Sequence, residues 1–374
     1  MRARQPTPAG ATTSTAARAR TALFVATNGV GMGHLTRVMA IARRLPEGVQ
    51  PILLTWSQAL RLARQEGFFV EYMPSLQYLR SEVRPWNALF LRRLHELIDL
   101  YAPGVIVYDG VQPHEAFDTL RWSHPAVTRV WCRRAMWRPG QAVRNLDGAR
   151  FFDAVLEPGE LADSSDAGAT VAERPRAHRV RPMLFPAVAD LLERDEARRR
   201  LGLTGERPVT LIQLGSGAAL RREVIERLLA LNRTDVVLAV SPLDDRAGSV
   251  PAGCRRIDLY PLGPYYRAFD FAVAAPGYNA FHELLAFGIP TLFIPNPNAV
   301  VDDQPARAGH AARYGMAATL ESPDGGALDR ALLGLIDGPR PSGLDEASRA
   351  LLAGNGAADA ASFLTALLDG SPRP

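Results

Sequence analysis

Two groups of residues, far apart in the chain, have the types and spacing to do chemistry. The first is Asn28-Gly29-Val30-Gly31-Met32-Gly33-His34, directly after an apolar run over residues 22–26. His34 follows the Gly-rich turn between a predicted strand and a predicted helix, which aims its ring at a cleft instead of a core. Imidazole has an unperturbed pKa near ~6.5 and can take a proton from a hydroxyl at neutral pH. Asp109 ends the apolar run 105–108 on the same predicted sheet edge and is the carboxylate best placed to fix the histidine tautomer. The plainer readings are that His34 caps its helix or touches phosphate, and that Asp109 caps the next turn with Gly110.

The second group lies within residues 270–307, which read as strand, Gly-rich turn, helix, strand and then Asp302-Asp303-Gln304. Gly277-Tyr278-Asn279 opens the helix. Backbone N–H groups and the helix dipole there favour an anion, although Asn279 could equally be a cap. Glu283 lies one turn further on, where a carboxylate can accept bonds from ribose hydroxyls as acidic residues do in dinucleotide folds. A solvent-facing first-turn glutamate is the alternative. Gly215-Ser216-Gly217 repeats the strand–Gly–helix pattern earlier in the second half. Asp303 and Gln304 offer acceptors and donors for vicinal sugar hydroxyls, against the simpler role of capping the helix that follows. The Asp302-Asp303 pair does not make a metal site, because no third ligand is in sight and helix ends can meet phosphate charge.

These residues need a frame. Strands are predicted over 21–27, 51–55, 105–108, 128–132 and 154–156, with helices over 34–45, 57–66 and 87–100 between them. The alternation predicts a parallel sheet with helices on both faces. A second α/β series follows, with strands over 209–214, 236–240, 257–259, 271–274 and 291–294 and helices over 220–231 and 306–314. Residues 344–368 read as two Ala/Leu-rich helices. The expected organisation is a disordered leader over 1–20, a Rossmann-like domain over 21–182, and a Pro-containing connection over 183–207. A second Rossmann-like domain over 208–343 and C-terminal helices and tail over 344–374 complete it. The two halves face each other across a cleft, and the connection and tail helices are expected to act as a hinge for its closure.

Composition narrows the function. The 374 residues are 47% hydrophobic, enough to build real cores. No stretch approaches ~18 consecutive apolar residues, and residues 1–20 lack the apolar segment of a secretory signal, so cytoplasmic location is the default. Cys132 and Cys254 flank no metal-binding spacing and imply a reducing compartment. The net charge of +4 does not argue for nucleic acid. The sequence contains no lysine, so every cationic contact to a phosphate must use the planar guanidinium. Arg80, Arg84, Arg92 and Arg93 interleave with Tyr78, Trp86 and residues 89–91, and Trp131 to Arg138 is a second arginine-aromatic cluster. Trp86, Arg134 and Trp137, with Gly31 and Gly33, are candidates to line an acceptor pocket. Peripheral contact with an anionic membrane is a second use of these clusters, and half-buried helices and loops are the plainest one.

The downstream block resembles the donor-binding region of nucleotide-sugar glycosyltransferases with the GT-B fold, in particular the bacterial peptidoglycan N-acetylglucosaminyltransferase and the UDP-glycosyltransferases. The resemblance implies that Gly277, Tyr278 and Asn279 hold the diphosphate, Glu283 the ribose, and Asp303 with Gln304 the donor sugar. Arg307 departs from the Asn that often stands there, which leaves its role open. Upstream, Gly31 to His34 resembles the acceptor-side loop whose histidine is the base in UDP-glycosyltransferases, with Asp109 matching its aspartate partner. Gly31-Met32-Gly33-His34-Leu35-Thr36-Arg37 is also similar to the loop of nucleotide-sugar hydrolases from pseudaminic acid synthesis. The expected activity is therefore metal-independent, cofactor-free, inverting transfer from a nucleoside-diphosphate sugar, UDP foremost, to a hydroxyl of a natural product or lipid-linked sugar. Hydrolysis at the same site and a non-catalytic sugar-nucleotide-binding subunit are the alternatives. The sequence does not set the oligomeric state.

Overall fold

The computed structural model describes residues 20–27, 32–215, 218–241, 243 and 250–370. The expected leader falls almost wholly outside them. Thirteen strands form two sheets. The first holds β1 (Arg20–Ala26), β2 (Val49–Thr55), β3 (Phe69–Tyr72), β4 (Val105–Asp109), β5 (Thr128–Cys132), β6 (Ala154–Glu157) and β7 (His178–Arg179). The second holds β8 (Val209–Gln213), β9 (Asp235–Ala239), β10 (Cys254–Ile257), β11 (Phe271–Ala274), β12 (Thr291–Phe293) and β13 (Ala318–Thr319). The helices in chain order are α1 (Gly33–Ala42), α2 (Leu60–Gln65), α3 (Leu76–Leu79), α4 (Val83–Tyr101), α5 (Ala116–Ser123) and α6 (Arg194–Arg200). They continue with α7 (Ala218–Leu231), α8 (Tyr278–Ala286), α9 (Gln304–Arg313), α10 (Gly325–Asp337), α11 (Leu344–Leu352) and α12 (Gly356–Leu368).

Both sheets are wholly parallel, in the orders β3-β2-β1-β4-β5-β6-β7 and β10-β9-β8-β11-β12-β13. The apolar runs that predict buried strands become central strands covered on both faces. Leu23 and Val25 face one apolar cluster of the first sheet while Phe24 and Ala26 face the other. Leu211 and Ile212 divide the same way in the second. In each sheet the strand order reverses once, between β1 and β4 and between β8 and β11. Ligands of open α/β sheets bind outside the carboxyl ends of the strands at such a reversal. Ala26 pairs with Asp109 at the first reversal, and Gln213 with Ala274 at the second.

The last two helices divide between the domains. Leu344 and Leu351 of α11 join the core of the second domain, whereas Ala357, Ala360, Ala361 and Leu364 of α12 pack into the first, against α1. Residues Leu344–Leu368 together have the length and apolar composition of a membrane-crossing helix. The chain breaks between the two pieces, and Asn355 caps α12 by accepting from the Ala357 N–H. The expected strand at 257–259 is corrected: β10 ends at Ile257, because its pairing to β9 starts at Cys254. The edge strands β3, β7 and β13 and the helices α5 and α10 were not foreseen.

Candidate active site

His34 is the second residue of α1, at the carboxyl end of β1, and Asp109 is the last residue of its neighbour β4. The strand pairing therefore delivers the two side chains to one point. His34 Nδ1 lies 2.5 Å from Asp109 Oδ1. With Nδ1–H donated to that carboxylate, Nε2 keeps its lone pair. The His34 side chain is 13% exposed and Asp109 is fully buried.

A third residue completes the cluster. Arg37, one turn along α1, donates Nε to Asp109 Oδ2 at 2.7 Å and Nη2 to Oδ1 at 2.6 Å. The guanidinium Nη2 also lies 3.2 Å from His34 Nδ1. Burial alone would raise the pKa of Asp109, but the Arg37 charge and the bonds from His34 and Arg37 hold its carboxyl well below the usual range. Burial lowers the pKa of His34; Asp109 opposes this, while the charges of Arg37 and Arg134 add to it. At neutral pH the imidazole is neutral and can accept a proton.

In the second domain, β11 is followed by Ala275-Pro276-Gly277 and α8 begins at Tyr278. No side chain caps this helix end. A Cβ built on Gly277 would meet only Gln304 Nε2, at 3.9 Å, and its φ of −66° suits any residue. The protein's own packing therefore does not need glycine here, whereas close approach of a ligand to the backbone would. Gly215 likewise has no atom within 4 Å of a built Cβ, as has Gly33. Leu214, Gly215, Leu220, Ala275, Ile294 and Asn296 line a pocket at this sheet edge. Gly31, Ser216 and Gly217 lie outside the described residues.

Glu283 is buried, and the Tyr266 hydroxyl donates to its Oε2 at 2.9 Å. Burial pushes its carboxyl up to about 7, against the bonds from Tyr266 and the Phe185 backbone. Asp303 caps α9 through the Ala306 N–H. Gln304 accepts from the Asn296 N–H at 2.9 Å and donates to Asp302 at 3.1 Å. The half-buried Asn279 stands in the first turn of α8, without a capping bond.

Several expected contacts are corrected. The Tyr278 side chain faces the protein: its hydroxyl donates to Gly159 O at 3.0 Å and accepts from the Met183 N–H at 2.9 Å. Only the Tyr278 backbone is left for a ligand. Trp86 is a core residue, stacked on Phe90 with its indole N–H donated to Pro74 O. Trp137 is buried against Trp131, and its backbone bridges to Asp302. Arg134 stays partly accessible and donates to Asp302 at 3.0 Å.

Sequence reasoning left Arg307 open, and its geometry is specific. The guanidinium is fully buried, paired with Glu160 at 2.8 Å and Asp302 at 3.1 Å, and donates to Pro276 O. Glu160 follows β6 of the first domain, so this is a clamp between domains. His282 sits beside it, donating Nδ1–H to Tyr278 O and accepting the Leu161 N–H at Nε2. The Thr36 and Tyr260 hydroxyls meet at 2.9 Å across the same boundary. Glu160, Tyr260 and Tyr266 escaped the sequence reading of the site, and Arg37 enters it only as the last residue of the Gly31–Arg37 loop, three positions after His34.

No family model matches the chain. The N-acetylglucosamine transferase of Mycobacterium avium (strain 104) that acts on N-acetylmuramyl-(pentapeptide) pyrophosphoryl-undecaprenol is 28% identical over 317 residues, 78% of this chain and 75% of that protein. Among solved structures, the kitacinnamycin glycosyltransferase superposes with a TM-score of 0.66 at 18% identity, covering 94% of this chain and 100% of that one. The spinosyn rhamnosyltransferase SpnG, complexed with thymidine diphosphate, gives 0.64 at 16% identity, covering 92% and 100%. The chain has the GT-B fold. The resemblance read from residues 270–307 thus agrees with relatives that are named glycosyltransferases, both by sequence and by structure. His34 and Asp109 thus stand at the carboxyl edge of the first sheet with Arg37 one turn along α1, and Gly215 and Gly277 at the carboxyl edge of the second with Glu283 one turn into α8.

Proposed function

We propose that the protein is an inverting glycosyltransferase that moves a sugar from a nucleoside diphosphate to an acceptor hydroxyl. The observation that carries this reading is the juxtaposition of two sites. A His34–Asp109 dyad, whose Nε2 has no hydrogen-bond partner among the described residues, stands near the uncapped start of α8, and the Arg37 guanidinium carbon lies 5.6 Å from the Tyr278 ring centroid. His34 Nε2 takes the acceptor proton as the acceptor oxygen bonds to the anomeric carbon. The bond from that carbon to the diphosphate oxygen breaks, and the leaving anion meets the N–H groups of residues 278–279. One displacement inverts the centre and requires no sugar–enzyme adduct. Independence of metal is part of the proposal: the helix terminus supplies the positive potential at the leaving diphosphate.

Glu283 accepts from ribose hydroxyls, Asp303 and Gln304 from the donor sugar, and UDP is the nucleotide we favour. The relative from Mycobacterium avium is named for UDP-N-acetylglucosamine, whereas SpnG is complexed with thymidine diphosphate. Thermal-shift titration with UDP and thymidine diphosphate separates the two, since a ligand at a hundredfold excess over Kd stabilises by about 2.7 kcal/mol. Activity is tested by incubating UDP- and TDP-sugars with and without hydroxyl acceptors, namely lipid-linked sugars and macrolide aglycones. Acceptor-dependent release of nucleotide supports transfer. Release of free sugar at the same rate without acceptor overturns it in favour of hydrolysis, and binding without turnover points to a non-catalytic subunit.

The proposed location is the cytoplasmic face of a membrane. Tyr78, Leu79, Val83 and Leu89 are exposed on α3 and α4 beside the exposed Arg80 and Arg84. Apolar side chains among arginines suit an anionic lipid surface. Co-sedimentation with phosphatidylglycerol vesicles, absent with phosphatidylcholine, is the expected result.

A further inference from the structure

We propose that Arg37 is a positioning residue for the transfer: it grips Asp109 so that Oδ1 alone serves His34, and it ties that dyad to the start of the donor helix α8. The inference rests on the glycosyltransferase reading for its catalytic meaning, but the geometry stands without it. Arg37 is almost wholly buried. Its Nε and Nη2 occupy one carboxylate oxygen each, the two-pronged arrangement that only a guanidinium makes. Its cationic carbon lies 5.6 Å from the centroid of the Tyr278 ring, within range of a cation–π contact. Tyr278 is in turn bonded to Gly159 and Met183 of the first domain and its connection. One side chain thus touches the base dyad and the first residue of the helix that faces the leaving group.

The grip has an electrostatic consequence. A lone aspartate beside a histidine stabilises the imidazolium and raises the histidine pKa. Here the cation of Arg37 offsets the Asp109 charge, and so His34 remains a neutral base at lower pH than an unassisted dyad would allow. The other groups facing this cluster are Arg134, from the loop after β5, which also disfavours imidazolium, the buried Cys132 thiol of β5, Tyr108 of β4 and Tyr278 of α8. Burial pushes the Cys132 thiol and both phenols up, so they stay neutral.

The test is the His34 titration itself, read by NMR of histidine-labelled protein and assigned with His34→Ala, alongside the pH profile of kcat/KM. In Arg37→Gln the His34 pKa should rise by about one unit or more, and the acid limb of kcat/KM should rise with it. Arg37→Lys keeps the charge but not the fork. It should leave the His34 pKa near the wild-type value and lower kcat about tenfold or more, as misplacement of a positioned group does. An unchanged His34 pKa in Arg37→Gln, with activity falling equally at every pH, reduces Arg37 to a structural residue and overturns the proposal. If Arg37→Gln does not fold, wild-type kcat in Arg37→Lys overturns it and a lowered kcat at constant His34 pKa supports it. A shifted NMR titration in a protein that transfers no sugar would uphold the Arg37 grip while sinking the glycosyltransferase reading.

Discussion

Arg307 and Glu160 meet 2.8 Å apart across the domain boundary, and both side chains are fully buried. The pair is extended by Asp302, which accepts from Arg307 and Arg134, and by the backbone bridge in which Arg138 N–H donates to Val301 O and Asp303 N–H to Met136 O. The loop after β5 and the loop after β12 are thus joined main chain to main chain.

Removing one partner of such a pair leaves a buried charge uncompensated. Arg307→Met should destabilise the protein by about 3–5 kcal/mol, read as a lower midpoint in urea. Arg307→Met with Glu160→Gln should recover part of that loss. Equal stability of the single and double variants would show that the pairing is not what matters.

His34→Ala should cut acceptor-dependent turnover by about 10²–10⁴-fold while nucleoside diphosphate affinity stays unchanged. Isothermal titration calorimetry beside initial rates separates the two effects. Full activity in this variant would remove His34 from the role of base.

Gly277→Ala should fold with wild-type stability, since the added methyl meets only Gln304 Nε2 at an ordinary contact distance. The same methyl would stand where the diphosphate approaches the backbone, so nucleotide affinity should fall by at least tenfold. An unaltered Kd would place the diphosphate elsewhere.

The ribose-binding role proposed for Glu283 implies a pH dependence of definite sign. Its carboxyl is raised to about 7 and must be ionised to accept from ribose hydroxyls, so protons compete with donor. Nucleotide affinity should therefore increase with rising pH between about pH 6 and 8 and be flat over that interval in Glu283→Gln. Tyr266→Phe removes a bond that favours the carboxylate, so the midpoint should move to higher pH. A flat wild-type profile would contradict the assignment.

The sequence made the frame legible because both sheets are parallel and buried on both faces, so that β1, β4, β8 and β11 stand out as continuous apolar runs flanked by amphipathic helices. It also marked His34, Asp109 and Gly277, because a residue at the end of a central strand has few places to go but the shared edge. Long-range contacts were another matter. Nothing local separates Trp86, an interior ring against Phe90, from a ring lining an acceptor pocket. Tyr278 sits at the expected helix start, yet its hydroxyl is drawn to Gly159, 119 residues away. Arg307 read as an anomaly because its partner Glu160 lies in the other half of the chain. Edge strands such as β7, with two residues, are held by pairing alone and leave no pattern.

One feature of the architecture bears on how the protein is made. The helix α1, bearing His34 and Arg37, is covered on one flank by α12, the last element of the described chain. During synthesis that flank stays wet until residues 356–368 have emerged from the ribosome, long after the rest of the first lobe. Completion of the first domain is thereby deferred until the second already exists, and a nascent chain halted before residue 356 would leave that flank of α1 uncovered.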